Sequence, residues 1–321
     1  MLIALGAGVC APALSFGQQP AKLPLVGYLH PGFPPPSPSN ITEEFRQGLR
    51  DNGYIEGRNI TVEYRWGRTQ AETLPALAME LVKLKVDVLV ATGPAALAAV
   101  KAAAGTIPIL ANDLESDPVA SGLVASLARP GGNVTGLFLD FPAITGKWLE
   151  LLTETVPGIR RAAVLWDSTS GLSQIPAITA EAKKRAMALD IVKFQQVTEI
   201  EAVLDGAMKK RPQALIQLSS PIVNFASDRV ARFTQTHRLP AISMFTAFPD
   251  KGGLMSFGPN LPMLYRRLVP LVDKILKGTK PGDIPIERPT TFELVVNRTA
   301  AKALGVTVPA TILVRADRII E

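Results

Sequence analysis

The alternation of short apolar segments with helical patterns is the feature that most limits how this chain of 321 residues folds. In the first part of the chain, apolar segments that predict strands lie at 23–30, 59–66, 86–93, 107–112 and 134–139. Helical patterns lie at 40–53, 73–85, 95–104 and 117–128. Strands that lack a polar face and alternate with helices are typical of a parallel sheet with helices on both sides.

The same alternation repeats in the second part of the chain. Strands are predicted at 161–167, 190–197, 213–219, 239–245 and 253–258. Helices are predicted at 142–156, 176–188, 199–210 and 223–237. A further helix at 260–277 and a strand at 292–297 follow. The sequence therefore predicts an α/β protein with two Rossmann-like lobes, each built on a parallel sheet.

Three stretches that contain proline or glycine mark places where we expect the chain to pass from one lobe to the other. They lie at 139–142, 258–260 and 284–291. We expect a first lobe formed by 22–140 plus 260–287 and a second lobe formed by 141–259 plus 288–321. Three crossings of this kind suit hinges, since a few residues there absorb the dihedral changes of a domain movement.

The N-terminal segment 1–22 resembles a secretory signal. It has no charge until its last residue, and an apolar run leads into small residues. We expect a signal peptide over residues 1–17, although the usual basic start is missing; cleavage after Ala13 and a core helix are the alternatives. Val9 is too large for a lipoprotein signal, so no anchor is expected at Cys10. We therefore expect a periplasmic protein without disulfides, because Cys10 is the only cysteine.

Composition and motifs argue against several classes of function. The net charge is +6, but the basic residues are scattered and have no aromatic residues among them, so no nucleic-acid partner is expected. The sequence lacks HExxH, GxSxG and GxxxxGK[ST]. His237 lies at a helix end, where it suits capping. No enzyme, no cofactor and no metal site are expected.

The stretch LVATGPAALAAV, residues 89–100, is the strongest candidate binding element. An apolar strand ends there, and a helix of small residues begins. Unpaired N–H groups at a helix N-terminus favour an anion, and ligands of parallel sheets bind at the carboxyl ends of strands. We expect a ligand carboxylate at Thr92, Gly93, Pro94 and Ala95. The alternative is a tight turn whose small residues serve packing.

Other predicted strand ends supply further candidates for ligand contact. His30 ends the first strand, and Asn112 and Asp113 end the fourth, where Asp113 is a candidate partner for an ammonium group. In the second lobe, the candidates are Trp166, Asp167, Ser219, Ser220, Phe245 and Phe257. Carboxylate, donor and apolar groups together suit an amino acid. The alternatives are an Asx turn for Asp113 and core packing for the aromatic residues.

Several long stretches resemble one family. FRQGLRDNGYIEGRNITVEYRW (45–66), SDPVASGLVASLARPGGNVTGL (116–137) and VDKILKGTKPGDIPIERPTTFELVVNRTAAKALG (272–305) are similar to substrate-binding proteins of ABC importers, of the type labelled tryptophan/tyrosine. The resemblance implies a type I periplasmic binding fold and a non-enzyme. Two departures stand out: a proline-rich loop at 31–38, and Asp167 where relatives often carry asparagine.

The resemblance and the strand-end residues together predict an exported solute-binding protein. We expect a monomer that captures a small carboxylate-bearing ligand, an amino acid or a related compound, in a cleft between the lobes. It would deliver this small-molecule ligand to an ABC permease in the inner membrane. The alternative is a periplasmic sensor that binds the same ligand and feeds a membrane receptor.

Overall fold

A computed structural model describes residues 22–35 and 41–321. The predicted signal peptide, Cys10 and residues 36–38 of the proline-rich loop lie outside the described residues. The strands are β1 (Leu25–His30), β2 (Thr61–Trp66), β3 (Val88–Thr92), β4 (Ile109–Asp113), β5 (Val134–Phe138), β6 (Arg161–Asp167), β7 (Ala188–Phe194), β8 (Ala214–Gln217), β9 (Ala241–Ser243), β10 (Met255–Pro259), β11 (Phe292–Asn297) and β12 (Arg318–Ile320).

Helices follow most of the strands. They are α1 (Ile41–Asp51), α2 (Leu74–Lys83), α3 (Gly93–Ala103), α4 (Phe141–Thr155), α5 (Gln174–Lys184), α6 (Ile200–Met208), α7 (Pro221–Phe225), α8 (Ser227–Thr236), α9 (Ala247–Asp250), α10 (Leu261–Leu276), α11 (Arg298–Leu304) and α12 (Ala310–Arg315). None of the helices in the described parts of the chain combines the length and the apolar character that crossing a bilayer requires.

The strands form two separate sheets, which confirms the predicted α/β architecture. The first sheet has five strands in the order β2-β1-β3-β4-β5, and all its neighbours are parallel. The second has seven strands in the order β12-β11-β10-β9-β8-β6-β7. Its strands β10 and β11 are antiparallel, and β12 was not predicted. We call the two sheets with their packed helices the first lobe and the second lobe.

Buried helices cover both faces of the first sheet. Helices α2 and α3 pack on one face through Leu81 and Leu97, and α1 and α10 pack on the other. Helix α10 thus belongs to the first lobe although it follows β10 of the second. Gly48 of α1 allows α1 and α10 to approach each other closely, since a Cβ atom at this position would lie 2.9 Å from the side chain of Val269 in α10.

The chain passes between the lobes at three places. It does so between β5 and α4, at Asn260 between β10 and α10, and along the segment before β11. In that third segment, the amide of Glu287 donates to the carbonyl of Gly136, and the amide of Phe138 donates to the carbonyl of Glu287. The third crossing is therefore hydrogen-bonded to β5, the last strand before the first crossing.

The helix predicted at 117–128 is wrong. Asp117 caps a single turn, because its carboxylate accepts from the amides of Val119 and Ala120 at 2.9 and 3.0 Å. Gly122 then adopts a φ of +71°, which ends the turn. The helix predicted at 223–237 is also divided, since α7 ends before Ala226 and α8 begins after it.

Gly136 lies where β5 leaves no room for a side chain. Its φ is +145°, and a Cβ atom would lie 2.0 Å from the carbonyl oxygen of Ala111 on β4. We expect Gly136→Ala to lower the free energy of unfolding by about 1–3 kcal/mol in urea denaturation. Gly206→Ala in α6 is the control, because no atom of the described residues lies within 4 Å of that Cβ apart from its chain neighbours and the backbone of its own helix. It should raise stability by about 0.5–1 kcal/mol; equal stabilities for the two variants would contradict the expectation.

Candidate functional site

The carboxyl ends of the two sheets face each other across a cavity of about 590 Å³. From the first lobe, it is lined by the ends of β1, β3 and β4 and by α10. From the second lobe, it is lined by α7 and by Phe245, which follows β9. We call this space the main cavity. It lies at the edge of the sheets where the predicted site residues were expected to meet.

Unpartnered polar atoms line the main cavity on the side of the first lobe. Thr92 and Asn112 lie opposite each other in the β3–β4 register, and both line the cavity. Their side chains are 5% and 2% exposed. Neither Thr92 Oγ1 nor Asn112 Oδ1 has a hydrogen-bond partner within residues 22–35 and 41–321. Buried polar atoms in native proteins are normally paired, so these two are candidates for ligand contact.

The phenol of Tyr265 reaches the same place from α10. Tyr265 lines the cavity, and burial raises its pKa. The hydroxyl of the fully buried Tyr28 has no partner among the described residues, and burial raises the pKa of Tyr28 as well. Neither tyrosine was predicted. Tyr265 lies far along the chain in a helix that returns to the first lobe, so no local signal marks it.

His30 lies at the end of β1, as expected from the sequence, and lines the main cavity. Its Nδ1 accepts a hydrogen bond from the amide of Gly32 at 2.9 Å. The ring packs near Trp66 and Tyr28, with ring centroids 5.2 and 6.5 Å away. Burial lowers the pKa of His30 to about 3, so the imidazole is neutral at pH 7.

Glu115 connects the two lobes through a buried hydrogen bond. Its Oε1 accepts from the hydroxyl of Ser219 in the second lobe at 2.5 Å, and Glu115 lines the main cavity. Burial, with the nearby Asp113 carboxyl as a second cause, raises the pKa of Glu115 well above its usual value. Glu115 was not predicted, although the segment ANDLESDP contains it two residues after Asp113.

Asp113 itself points into its own loop. Its Oδ1 accepts from the amides of Glu115 and Ser116, both at 3.0 Å, which is the Asx turn considered as the alternative. The side chain is fully buried, and burial raises its pKa. Asp113 is not among the residues that line the main cavity. The carboxyl that reaches the cavity is that of Glu115.

Aromatic rings form the apolar walls. Phe33 of the first lobe stacks on Phe225 of the second, with ring centroids 4.7 Å apart and an angle of 25° between the planes. Phe245 is buried and also lines the cavity. None of the described residues that line the main cavity is Lys or Arg. An anionic group there would depend on uncharged donors, namely hydroxyl, amide, imidazole and backbone N–H groups.

Gly93 lies at the contact between the lobes. Its φ is +73°, and a Cβ atom would lie 3.0 Å from Cγ of Pro221 in the second lobe. Pro94 and Ala95 line a second, smaller cavity of about 320 Å³, which we call the side cavity. Asp167 lines the side cavity, and its Oδ1 accepts from the amide and the hydroxyl of Thr169. Burial raises the pKa of Asp167.

The remaining predicted residues have structural partners. Ser220 caps α7, because its Oγ accepts from the amides of Ile222 and Val223. Trp166 donates to the carbonyl of Gly171 and packs against the core. Phe257 stacks on Phe292, with centroids 5.7 Å apart.

Trp166 and Phe257 do not line either cavity. Adjacent side chains of a strand point to opposite faces of the sheet. A residue's position near a strand end therefore does not determine whether its side chain reaches the cavity. The structure also offers no metal site in the part of the chain that it describes, where no group of three or more His, Cys, Asp and Glu side chains is suitably arranged.

Comparison with known proteins identifies what the chain resembles. The model of the family described as "ABC transporter substrate binding protein" matches residues 35–320. A "Tyrosine-binding protein" of Clostridioides difficile (strain R20291) is 26% identical over 271 residues, which are 84% of this chain and 77% of that protein.

Two solved structures share the fold. An ABC domain from Streptococcus pneumonia in complex with L-Trp is 23% identical with a TM-score of 0.85, and the match covers 93% of this chain and 100% of that one. A ligand-free, open substrate-binding protein with adhesive properties from Clostridium difficile is 24% identical with a TM-score of 0.65, and the match covers 93% and 99%. Both support the fold found for this chain.

The buried His30 makes stability depend on pH. The unfolded chain takes up a proton on this residue below about pH 6.5, whereas the folded protein does so only near pH 3, so stability falls as the pH drops between these values. The slope from this group is at most about 1.4 kcal/mol per pH unit. His30→Asn keeps an acceptor beside Gly32 and removes the titration, so urea denaturation should show a shallower loss between pH 6.5 and 4.5. A His30→Asn curve parallel to that of the unaltered protein would contradict the expectation.

Proposed function

Because the chain belongs to the ABC transporter substrate-binding protein family, we propose that it is an exported protein that binds an amino acid between its lobes and delivers it to a permease. The observation that carries this proposal is the main cavity. It lies between two lobes that contact each other, and unpartnered polar atoms and aromatic rings line it. We propose a binding role rather than catalysis.

The proposed ligand is an aromatic amino acid. The relative in Clostridioides difficile is named for tyrosine, and one similar structure holds L-Trp. In this chain, Phe33, Phe225 and Phe245 offer ring surfaces for an aromatic side chain.

The ligand carboxylate would accept a hydrogen bond from the hydroxyl of Thr92. This hydroxyl is buried and has no partner among residues 22–35 and 41–321, and it lies directly before α3, whose N-terminal N–H groups favour an anion. The absence of Lys and Arg from the described lining residues leaves uncharged donors for this task, of which the Thr92 hydroxyl is one.

Lobe closure would then follow from the ligand's contacts with both sides. A ligand shifts a conformational equilibrium only as far as it binds one state better than the other. The main cavity has residues of both lobes in its walls, so an occupant gains its full set of contacts only when the lobes are together. The permease would recognise this closed form.

Titration calorimetry of the purified protein with L-tyrosine and L-tryptophan tests the proposal. We expect binding of at least one of them, and Thr92→Val should weaken it by about tenfold to a hundredfold, since a hydrogen bond to a charged group is worth roughly 1.5–3 kcal/mol. The melting temperature of the ligand-free variant should be equal or higher, because the lost hydroxyl has no partner among the described residues.

Thr135→Val is the matched control for this measurement. Thr135 is also buried in the first lobe, but its hydroxyl donates to the carbonyl of Ile284 at 2.8 Å. This variant should lose about 1 kcal/mol of stability and keep its affinity. Unchanged affinity in Thr92→Val would show that the carboxylate binds elsewhere.

We also propose export to the periplasm, on the basis of the uncharged apolar start of the sequence. A signal peptide over residues 1–17 would be removed during export. Intact-mass measurement of the protein isolated from its host should give a chain that lacks at least these residues. A mass that includes them would contradict the proposed processing.

A further inference from the structure

We propose that Glu115, together with Asn112, holds the ammonium group of the ligand, and that the same carboxyl links this ammonium to closure through Ser219. The inference rests on the proposed function and extends it, because it names the residue that selects amino acids over acids without an amino group. Three independent observations carry it: the position of Glu115, the unpaired acceptor beside it, and the shortage of other charges.

The position of Glu115 suits contact with both the ligand and the second lobe. The side chain is 3% exposed and lines the main cavity. Its Oε1 accepts from the hydroxyl of Ser219, whereas Oε2 lies on the side of Gly93, 3.8 Å from the place of a Cβ atom there. Oε1 therefore makes the hydrogen bond across the cleft, whereas Oε2 points elsewhere and can accept a hydrogen bond from a ligand.

Asn112 provides the second, independent indication of a ligand. Asn112 lines the same cavity, and its buried Oδ1 accepts no hydrogen bond from any described residue. Two acceptors of this kind call for a donor with several N–H bonds, and a primary ammonium has three. Asn112 also lies opposite Thr92 in the sheet, on a neighbouring strand about 4.8 Å away. This spacing suits an ammonium and a carboxylate on the same carbon atom.

The described residues that line the main cavity offer Glu115 no Lys or Arg as a cationic partner. The titratable groups at this end of the cleft are Asp113, His30, Tyr28 and Tyr265, and none of them is positively charged at pH 7. The described residues that line the cavity from the second lobe include no titratable group. Burial and the neighbouring Asp113 raise the pKa of Glu115, which shows how poorly the site stabilises the carboxylate by itself. A ligand cation would supply the missing charge.

The substitution Glu115→Gln separates charge from shape. Glutamine retains an oxygen that accepts from Ser219, but it has no negative charge with which to form an ion pair with an ammonium. The probes are L-tyrosine and 3-(4-hydroxyphenyl)propionate, which is tyrosine without its amino group. In titration calorimetry at pH 7, we expect the unaltered protein to prefer L-tyrosine by at least about tenfold. Glu115→Gln should lose about tenfold to a hundredfold in affinity for L-tyrosine, and it should bind the acid at least as tightly as the unaltered protein does.

Ser219→Ala is the matched comparison on the other side of the same hydrogen bond. It removes the contact across the cleft and leaves the carboxyl in place. We expect it to weaken both probes by a similar factor, so that the ratio of their affinities is kept. If Glu115→Gln also keeps this ratio, Glu115 serves the contact between the lobes alone and the inference is overturned.

The pH dependence of the affinities of the unaltered protein provides a second test, which does not depend on whether a variant folds. An ammonium binds the ionised carboxylate, so affinity for L-tyrosine should fall as the pH drops from 7 to 5. The acid lacks the cation and favours the protonated carboxyl, so its affinity should rise over the same range. Parallel slopes for the two probes would overturn the inference. If neither L-tyrosine nor L-tryptophan binds the unaltered protein at all, the proposed function fails together with it.

Discussion

Contact between the two lobes across the cleft is the interaction on which the site depends. Phe33 stacks on Phe225, and Glu115 accepts from Ser219, so an apolar and a polar contact both join residues far apart in the chain. The main cavity exists because these contacts bring two sheet ends together. Neither lobe alone would present the complete lining of the cavity to a ligand.

Burial of a carboxyl group at this contact gives the cleft its chemical character. An ionised carboxylate in a low-dielectric site is costly unless hydrogen bonds or opposite charges compensate it. Glu115 has a hydroxyl partner across the cleft, but the described residues that line the cavity contribute no Lys or Arg. The energetics of closure therefore depend on protonation and on what occupies the cavity. A binding protein benefits from this dependence, since closure without a ligand is then not strongly favoured.

Sequence patterns predict the layered architecture of this chain but only part of its site. Apolar strands and helical spacing locate the sheets because burial on both faces imposes a local pattern. The error at 117–128 has a local cause as well, namely Gly122 and the capping carboxylate of Asp117. Strand β12 was missed because it is short and lies at the sheet edge, where the burial pattern is weak.

The site residues depend on tertiary structure to a greater degree. His30, Thr92, Asn112 and Phe245 line the main cavity, because strand ends meet there in any open parallel sheet. The sequence places Asp113 and Glu115 equally near the end of β4, and only the fold of the loop determines which carboxyl faces the cavity. Tyr265 reaches the site from a helix that returns from the second crossing, which no local pattern reveals.

Packing and binding are not exclusive alternatives for the small residues at the start of α3. Gly93 adopts a conformation with positive φ, and Pro221 of the other lobe occupies the space next to which a side chain at this position would lie. A larger residue would hold the lobes apart and would also extend toward Oε2 of Glu115, 3.8 Å from the Cβ position. Thr92, the residue before it, lines the main cavity. A strand end without bulk thus allows close contact between the lobes directly beside Thr92, so packing at this stretch is compatible with the ligand contact that we propose for it.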